Sequence, residues 1–539
     1  MASPDARSDR SPTLGDEEKM TTAGQTRGGV LKDQPSNGSD VQTAQATDTV
    51  GGDDVLGLQD LDPALNMKMH LVNDAIDEIG WTPYHTKLFF LNGFGYAVDS
   101  LILLFQSIIS AQAFREFGEV GFRNGLTIAA YVGMLTGAIV VGFSADVIGR
   151  KYAFNISLLV CSVSCIVAGA MPNWPSLGLF IALLGAGGGG NLVMDTTVFL
   201  EYLPGKKQWM LTFLACWWGV GQAVAGFIAW GFMVPEKWNC PDVETCTWSN
   251  NWGWRYVLFT GGAIVLVLSL LRVTVVRLRE TPKYQLGQGQ DAELIETLHM
   301  LAEKYNRPCS LTLERLQACG EIRGLDKKKG FSMAETLVHF RGLFATKTIS
   351  ISTAMVWASW TLIGLAYPLW TVFLPDYLRN RGAEFNRSDF ETWRNYALVN
   401  VSGIFGPMVA GLLCNTKLLG RKYTMVIGAL LTMALLFVYT TVKTKDEDLA
   451  LSCLVGFCLN IYYGTLYAYT PEVLPSAHRG TGNGISVACN RIMGIMSAVI
   501  AAYADTATSA PLYICAALFI GLAIISALFP FEPYGRRSS

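Results

Sequence analysis

Asp99, Asp195 and Arg491 each interrupt a long run of apolar residues. Inside a bilayer an ionisable side chain costs about 2.5–3.5 kcal/mol on insertion scales, so each needs a task or a partner. A carboxyl group holds its proton more readily in low dielectric or beside a second carboxylate. Asp99 is therefore the candidate proton carrier and Asp195 its candidate partner. The alternatives are a structural hydrogen-bonding role for Asp99 and membership of a cytosolic charge network for Asp195. A guanidinium cannot shed its charge. Arg491 must face a carboxylate or an anionic ligand, with an internal pair to an acid on another helix as the bland alternative. Trp357, Trp360, Tyr367 and Trp370 share one apolar run, and Asn460, Tyr462, Tyr463 and Tyr467 share another. Aromatic surfaces with hydroxyl and amide groups suit a ring or a sugar. The candidate substrate-binding set is Arg491, Trp360, Tyr367, Trp370, Asn460 and Tyr463. Core packing or anchoring at the membrane interface is the competing reading for the aromatics.

The elements that must position these residues follow from composition. The chain has 539 residues, 51% hydrophobic and only 16% charged, with a mean hydropathy of +0.32. Such a chain is solvated mostly by lipid. Helices need about 20 apolar residues to cross a bilayer. Twelve runs qualify, at roughly 87–114, 124–143, 152–171, 176–203, 208–233 and 254–276, then 349–375, 396–413, 423–442, 449–469, 485–503 and 511–529. We number them spans 1 to 12. The expected fold is an all-α membrane protein with twelve transmembrane helices in two pseudo-symmetric six-helix bundles. The expected segments are a disordered cytosolic tail over 1–61, a first bundle over 62–276, a cytosolic linker with short helices over 277–346, a second bundle over 347–530 and a short cytosolic tail over 531–539.

An internal repeat supports the two bundles. GFSADVIGRK ends at Lys151 and LLCNTKLLGRK ends at Lys422, an offset of 422 − 151 = 271. Glu201-Tyr-Leu-Pro204 recurs as Glu472-Val-Leu-Pro475, and 472 − 201 is again 271. The repeat sets Glu201 beside Arg150 and Glu472 beside Arg421. With Asp146 and Arg479 these residues form an expected latch at the cytosolic end. A latch that opens on every cycle suits solvent-accessible pairs of about 0–1 kcal/mol. Lys and Arg concentrate in the loops after spans 2, 4, 6, 8 and 10, which predicts cytosolic termini, although Arg379, Arg381 and Arg387 after span 7 depart from the rule. Cys240 and Cys246 then fall on the non-cytosolic side, where a disulfide is expected.

The motifs are familiar. Gly142-Phe-Ser-Ala-Asp146-Val-Ile-Gly149-Arg150-Lys151 resembles the loop signature of the major facilitator superfamily. Arg279-Glu-Thr-Pro282-Lys, Glu472-Val-Leu-Pro475 with Arg479-Gly480-Thr-Gly482, and Pro530-Phe-Glu532 resemble sugar-porter motifs. The approach to span 1, from Asp77 to Leu88 with Asp99 beyond, is similar to synaptic-vesicle-protein-two-related transporters. The stretch GGGGNLVMD, from Gly187 to Asp195, resembles fungal members of that branch. Two departures are visible: span 4 carries no Arg, and Ile102 stands where relatives often carry an acid.

The resemblance implies a carrier of a small organic solute, an organic anion or a sugar, coupled to protons and working by alternating access. A facilitative uniporter and a non-transporting nutrient sensor on the same fold are the alternatives. No His pair, nucleophile elbow, metal-ligand cluster or phosphate loop points to an enzyme. Neither cofactor nor metal is expected, and the glycines at 185 and 187–190 read as close helix packing. The formal net charge of −2 excludes a strongly basic nucleic-acid binder. The expected partners are the solute, protons and the lipid bilayer, with a monomer in the plasma membrane or an internal vesicular or vacuolar membrane.

Overall fold

A computed structural model describes residues 63–117, 122–148, 150–275, 280–322, 340–384, 386–475, 478–503 and 510–534, and every described regular element is helical. The side chains of 142–154 are outside the described set, and with them Asp146 and Arg150 of the expected latch. The expected tail over 1–61 also lies outside it.

The first bundle is built from α2 (Pro83–Glu116), α3 (Gly125–Ile148), α4 (Arg150–Gly169), α5 (Trp174–Tyr202), the pair α6 (Met210–Leu214) and α7 (Cys216–Met233), and α8 (Gly253–Val275). Before it lies α1 (Pro63–Ile79), and after it come α9 (Pro282–Gly287), α10 (Asp291–Lys304) and α11 (Leu313–Gln317). The second bundle comprises the pair α12 (Lys347–Thr371) and α13 (Leu374–Glu384), then α14 (Asp389–Cys414), α15 (Gly420–Tyr439), α16 (Lys445–Val473), α17 (Arg479–Tyr503) and α18 (Ala510–Leu528). Among the described residues ten helical segments are long and apolar enough to cross a membrane, and Gly125–Val141 and Asn155–Gly169 are shorter apolar helices. Large apolar side chains such as Val140, Leu179, Leu270, Phe405 and Leu528 face outward, as a lipid-solvated surface requires.

The helix starts are written locally. Asn173 caps α5 by accepting from the Ser176 N–H at 2.9 Å. Ser388 with Glu391 and Thr444 with Glu447 form reciprocal capping boxes at α14 and α16. These polar first turns place the start of α14 at Asp389, seven residues before the apolar run that marked span 8. The duplication is exact at span 4: adding 271 to 174 and 202 gives 445 and 473, the bounds of α16.

Two spans are broken rather than continuous. Span 5 divides at Ala215, and span 7 divides between Thr371 and Leu374, one turn beyond Pro368. The glycine-rich stretch of α5 packs backbone to backbone on α3. A Cβ at Gly189 would lie 2.4 Å from the Met134 carbonyl oxygen, and one at Gly133 would lie 1.9 Å from that of Ala182. The halves meet where α7 packs on α14 and α3 packs on α17.

A second, smaller core lies at the end of the molecule that carries Arg421. Met69, Val72, Ala75, Ile76 and Ile79 form one face of α1 and bury against Leu286, Leu294, Leu298, Leu301 and Leu316. A Lys68–Asp291 ion pair of 2.6 Å closes it. Asp77 accepts from the Gly205 N–H at 2.6 Å, fastening α1 to the loop after span 4.

Candidate functional site

Asp99 of α2 and Arg491 of α17 meet at the centre of the molecule, Nη2 to Oδ2 3.4 Å, with side chains 0% and 1% exposed. The pair joins the first half to the second. Each residue was singled out in the sequence by its charge, and each is the other's partner. Tyr131 of α3 lies across Gly494, one turn from Arg491: a Cβ at Gly494 would sit 2.3 Å from its ring.

Asp195 lies within electrostatic range of Asp99 and has a charged partner of its own. Arg272 of α8 reaches its Oδ1 at 2.8 Å. Asn191 donates to Oδ2 at 2.6 Å and accepts from Arg272 at 2.6 Å. Both charges are buried, and Gly95 gives them room, since a Cβ there would lie 1.8 Å from the carboxylate. The sequence offers Asp195 as a possible partner of Asp99 or a member of a charge network, and does not single out Arg272, which stands close to the polar linker and reads as a flanking charge. Its signal was its place inside the run Leu-Leu-Arg-Val-Thr-Val-Val.

An aromatic cage lies between the halves. Trp360 stands edge-on to Tyr467 with ring centroids 4.6 Å apart, and Tyr367 lies 4.6 Å from Tyr463. Trp218 of α7 closes the cage from the first half, 5.9 Å from Tyr463 and 5.8 Å from Tyr467. Its indole N–H donates to the Tyr367 hydroxyl at 2.7 Å, and the Gln222 amide donates to the same oxygen. Trp360 donates to Thr470 at 2.7 Å, and Tyr96 bonds Thr196 at 2.8 Å. Tyr96, Trp218, Asn460, Tyr463 and Tyr467 line a narrow cleft with Pro407 behind them. The cleft is contracted to about the space of one water.

Trp360, Tyr367, Asn460, Tyr463 and Arg491 thus gather at one place, whereas Trp370 packs on Tyr439 and Tyr377, with centroids 5.1 Å and 6.2 Å away. Trp370 lies about 80° round the helix from Trp360, while Tyr367, seven residues from Trp360, shares its face. Trp218, Gln222 and Tyr96 belong to the cage and were missed. Gln222, a polar residue one turn from Trp218 inside span 5, was the available signal.

At the Arg421 end, Arg421 holds Glu472 with two bonds, Nη2 to Oε1 2.9 Å and Nε to Oε2 3.1 Å. Glu532 accepts from the backbone N–H groups of Arg421 and Lys422, each at 3.0 Å. Arg421 and Glu472 are buried and both lie in the second half. The surface-pair energy expected for a latch therefore does not apply, because water is excluded from the pair. Arg479 is buried and donates to the Leu474 carbonyl at 3.4 Å, and Glu201 is also buried. At the opposite end Cys240 and Cys246 form a disulfide with Cα atoms 5.2 Å apart. There Arg123 reaches Asp376 at 2.7 Å across the two halves, with both side chains partly exposed.

The family described as the Major Facilitator Superfamily matches residues 88–498, with a second match over 396–538. The MFS siderochrome iron transporter 1 of Ceriporiopsis subvermispora is 40% identical over 493 residues, covering 89% of this chain and 93% of its own length. An uncharacterised MFS-type transporter of Schizosaccharomyces pombe is 38% identical over 527 residues, 92% of this chain and 94% of its own. Among solved structures, the proton:xylose symporter XylE, bound to 6-bromo-6-deoxy-D-glucose, matches with a TM-score of 0.62 at 16% identity, covering 84% of this chain and 98% of that one; XylE is from E. coli.

Proposed function

The chain belongs to the major facilitator superfamily, and we propose that it carries a small organic solute across the membrane in symport with protons, by alternating access about the cage between its halves. The observation that carries this reading is the Asp99–Arg491 contact beside the cage. It puts a carboxyl group able to take a proton at the junction that must open when the halves separate. The solute is an organic anion or a sugar. Ring faces and hydroxyl groups suit either, and Arg491 weights the choice to the anion. A relative named for siderochrome iron and a fold neighbour named for xylose span a wide range of solutes, so the chemistry of the cage narrows the choice more than kinship does. Asp195, already paired with Arg272, acts by holding the first half together, with any proton step left to Asp99. The bias of Lys and Arg among the loops supports cytosolic termini.

The test is uptake into proteoliposomes, with and without an inward proton gradient, of sugars, organic acids, nicotinate-like aromatics and organic cations. Gradient-driven accumulation of an acid or sugar is the expected result. Equilibration that ignores the gradient would make the chain a uniporter. Binding without flux would make it a sensor.

A further inference from the structure

The sequence holds four Asn-X-Ser acceptor sequences for N-linked glycans, at Asn37, Asn155, Asn386 and Asn400. The fold separates them. Asn37 lies outside the described residues. Asn155 begins the apolar stretch Asn155–Gly169 of α4, four residues after Lys151 and so at the end where Lys and Arg concentrate. Asn400 is buried within α14, 4% exposed, and its amide donates to the Tyr396 carbonyl at 2.9 Å. Asn386 is exposed, in the short turn between α13 and α14. That turn stands clear of the lipid. Residues 389–395 of α14 carry Asp389, Glu391, Arg394 and Asn395 and precede the apolar run that begins at Tyr396, and seven residues of helix rise about 10 Å. Lys445 donates to the Asn386 carbonyl at 3.3 Å, and Arg387 reaches the Asp448 carboxylate at 2.6 Å and the Lys445 carbonyl at 2.7 Å, all at the start of α16. These contacts use the Asn386 backbone and the Arg387 side chain and leave the Asn386 carboxamide exposed. Asn386 has a φ of 51°, in the left-handed region that Asn adopts more readily than most residues.

We propose that Asn386 carries an N-linked oligosaccharide. The turn lies at the end of the molecule that holds the Cys240–Cys246 disulfide and the Arg123–Asp376 pair. Disulfides persist in oxidising compartments, which are also where such glycans are attached. Arg387, one of the arginines that depart from the loop-charge rule, is accounted for by its buried partner Asp448. In the folded chain Ser388 Oγ accepts from the Glu391 N–H at 3.2 Å as the N-cap of α14. The hydroxyl that completes the acceptor sequence is therefore read before that helix start closes. The donor is a lipid-linked oligosaccharide pyrophosphate, delivered by a glycosyl-transferring enzyme of the secretory membrane. A bond forms from Asn386 Nδ2 to C1 of the first sugar, the bond from C1 to the pyrophosphate oxygen breaks, the amide proton goes to water, and nothing is oxidised or reduced. Folding then leaves the glycan on a turn that solvent already surrounds. The proposal depends on the face of the membrane that the turn occupies, and not on the identity or flux of any solute.

The test is the full chain expressed in yeast and run on a gel before and after digestion with peptide-N-glycosidase. The wild type should move by one step on digestion, and mass spectrometry should recover Asn386 as Asp in the released peptide. Asn386→Asp and Ser388→Ala should run at the digested position without treatment. Ser388→Thr should keep the step, since Thr serves both the acceptor sequence and the helix cap. Asp also tolerates the left-handed turn, so Asn386→Asp should unfold in detergent at the temperature of the digested wild type, which shows that the lost step is not a lost fold. A wild type that does not move on digestion overturns the proposal. A step that survives in Asn386→Asp also overturns it, and if Asn37→Gln then abolishes that step the start of the chain lies outside the cytosol. The lumen of an internal vesicular or vacuolar membrane is equivalent in sidedness to the cell exterior, so the result does not depend on which membrane holds the chain. Transport is not read, and a chain that proves to be a sensor would give the same step.

Discussion

Arg491 of α17 touches Asp99 of α2 across 392 residues of sequence and across the junction of the two halves. Under the proposed alternating access, a contact that spans the junction would be made and broken as the halves separate. Replacing Asp99 by Asn keeps the shape and removes the titration. Accumulation against a gradient should be lost while exchange of internal for external solute persists, both measured in proteoliposomes. Undiminished accumulation in that variant would remove Asp99 from the coupling.

Arg272 makes a different prediction because its pair stays within the first half. Arg272→Leu leaves the Asp195 carboxylate buried with Asn191 as its remaining partner, and removing one member of a buried pair costs about 3–5 kcal/mol. The variant should unfold at a clearly lower temperature in detergent. Adding Asp195→Asn removes the stranded charge and should recover most of the loss. If the double variant is no more stable than the single one, charge burial is not what Arg272 relieves.

The cage gives a binding prediction. Trp218→Phe keeps a ring against Tyr463 and Tyr467 but deletes the N–H that reaches Tyr367. One lost hydrogen bond is worth about 0.5–1.5 kcal/mol; here it positions Tyr367 and does not touch the solute, so KM should rise by no more than severalfold with kcat little changed. Trp218→Ala also removes the ring and should weaken binding further. Equal KM values for wild type and both variants would place the solute elsewhere.

How far the sequence could be read depended on what each signal measured. Apolar runs report burial in lipid, so the spans and the 271-residue repeat were legible. The start of α14 was not, because Asp389, Glu391 and Arg394 look like loop residues until Ser388 is seen to cap them. Asp99 and Arg491 stood out because charge is rare in hydrocarbon, but their pairing crosses the two halves and no local pattern encodes it. Trp370 entered the candidate set by residue type alone, and rotation about the helix axis carries it to Tyr439. Trp218 was hidden for the opposite reason: a Trp in an apolar run reads the same whether it faces lipid or a cage.

The disulfide offers a test of sidedness together with stability. Cys240 lies under the contacts of Gln112 and Arg115, which donate to its carbonyl oxygen at 3.0 Å and 3.2 Å. Cys240→Ser with Cys246→Ser should lower the unfolding free energy by about 2 kcal/mol, the scale for a short loop, and leave transport in place. In intact cells a membrane-impermeant thiol reagent should label these cysteines only after an external reductant has been applied. Labelling without reduction would contradict the bond, and failure to label after reduction, in cells whose plasma membrane carries the protein, would put the loop on the cytosolic side.

Arg421 and Glu472 close the argument about charge. Both are buried, they share two hydrogen bonds, and Glu532, in the segment after α18, holds the backbone N–H groups at the start of α15 from which the Arg421 side chain springs. A bidentate arginine site does not accept lysine as an equivalent, because an ammonium lacks the planar fork. Arg421→Lys should therefore lose stability even though it keeps the charge, and Glu472→Gln should lose more, about 3–5 kcal/mol, by stranding the guanidinium. Glu532→Gln leaves the ion pair itself intact and weakens only the helix cap, so it should cost about 1 kcal/mol. Thermal unfolding of the three variants gives the order. If Arg421→Lys matched the wild type in both stability and transport, a point charge would suffice there and the paired geometry would carry no weight.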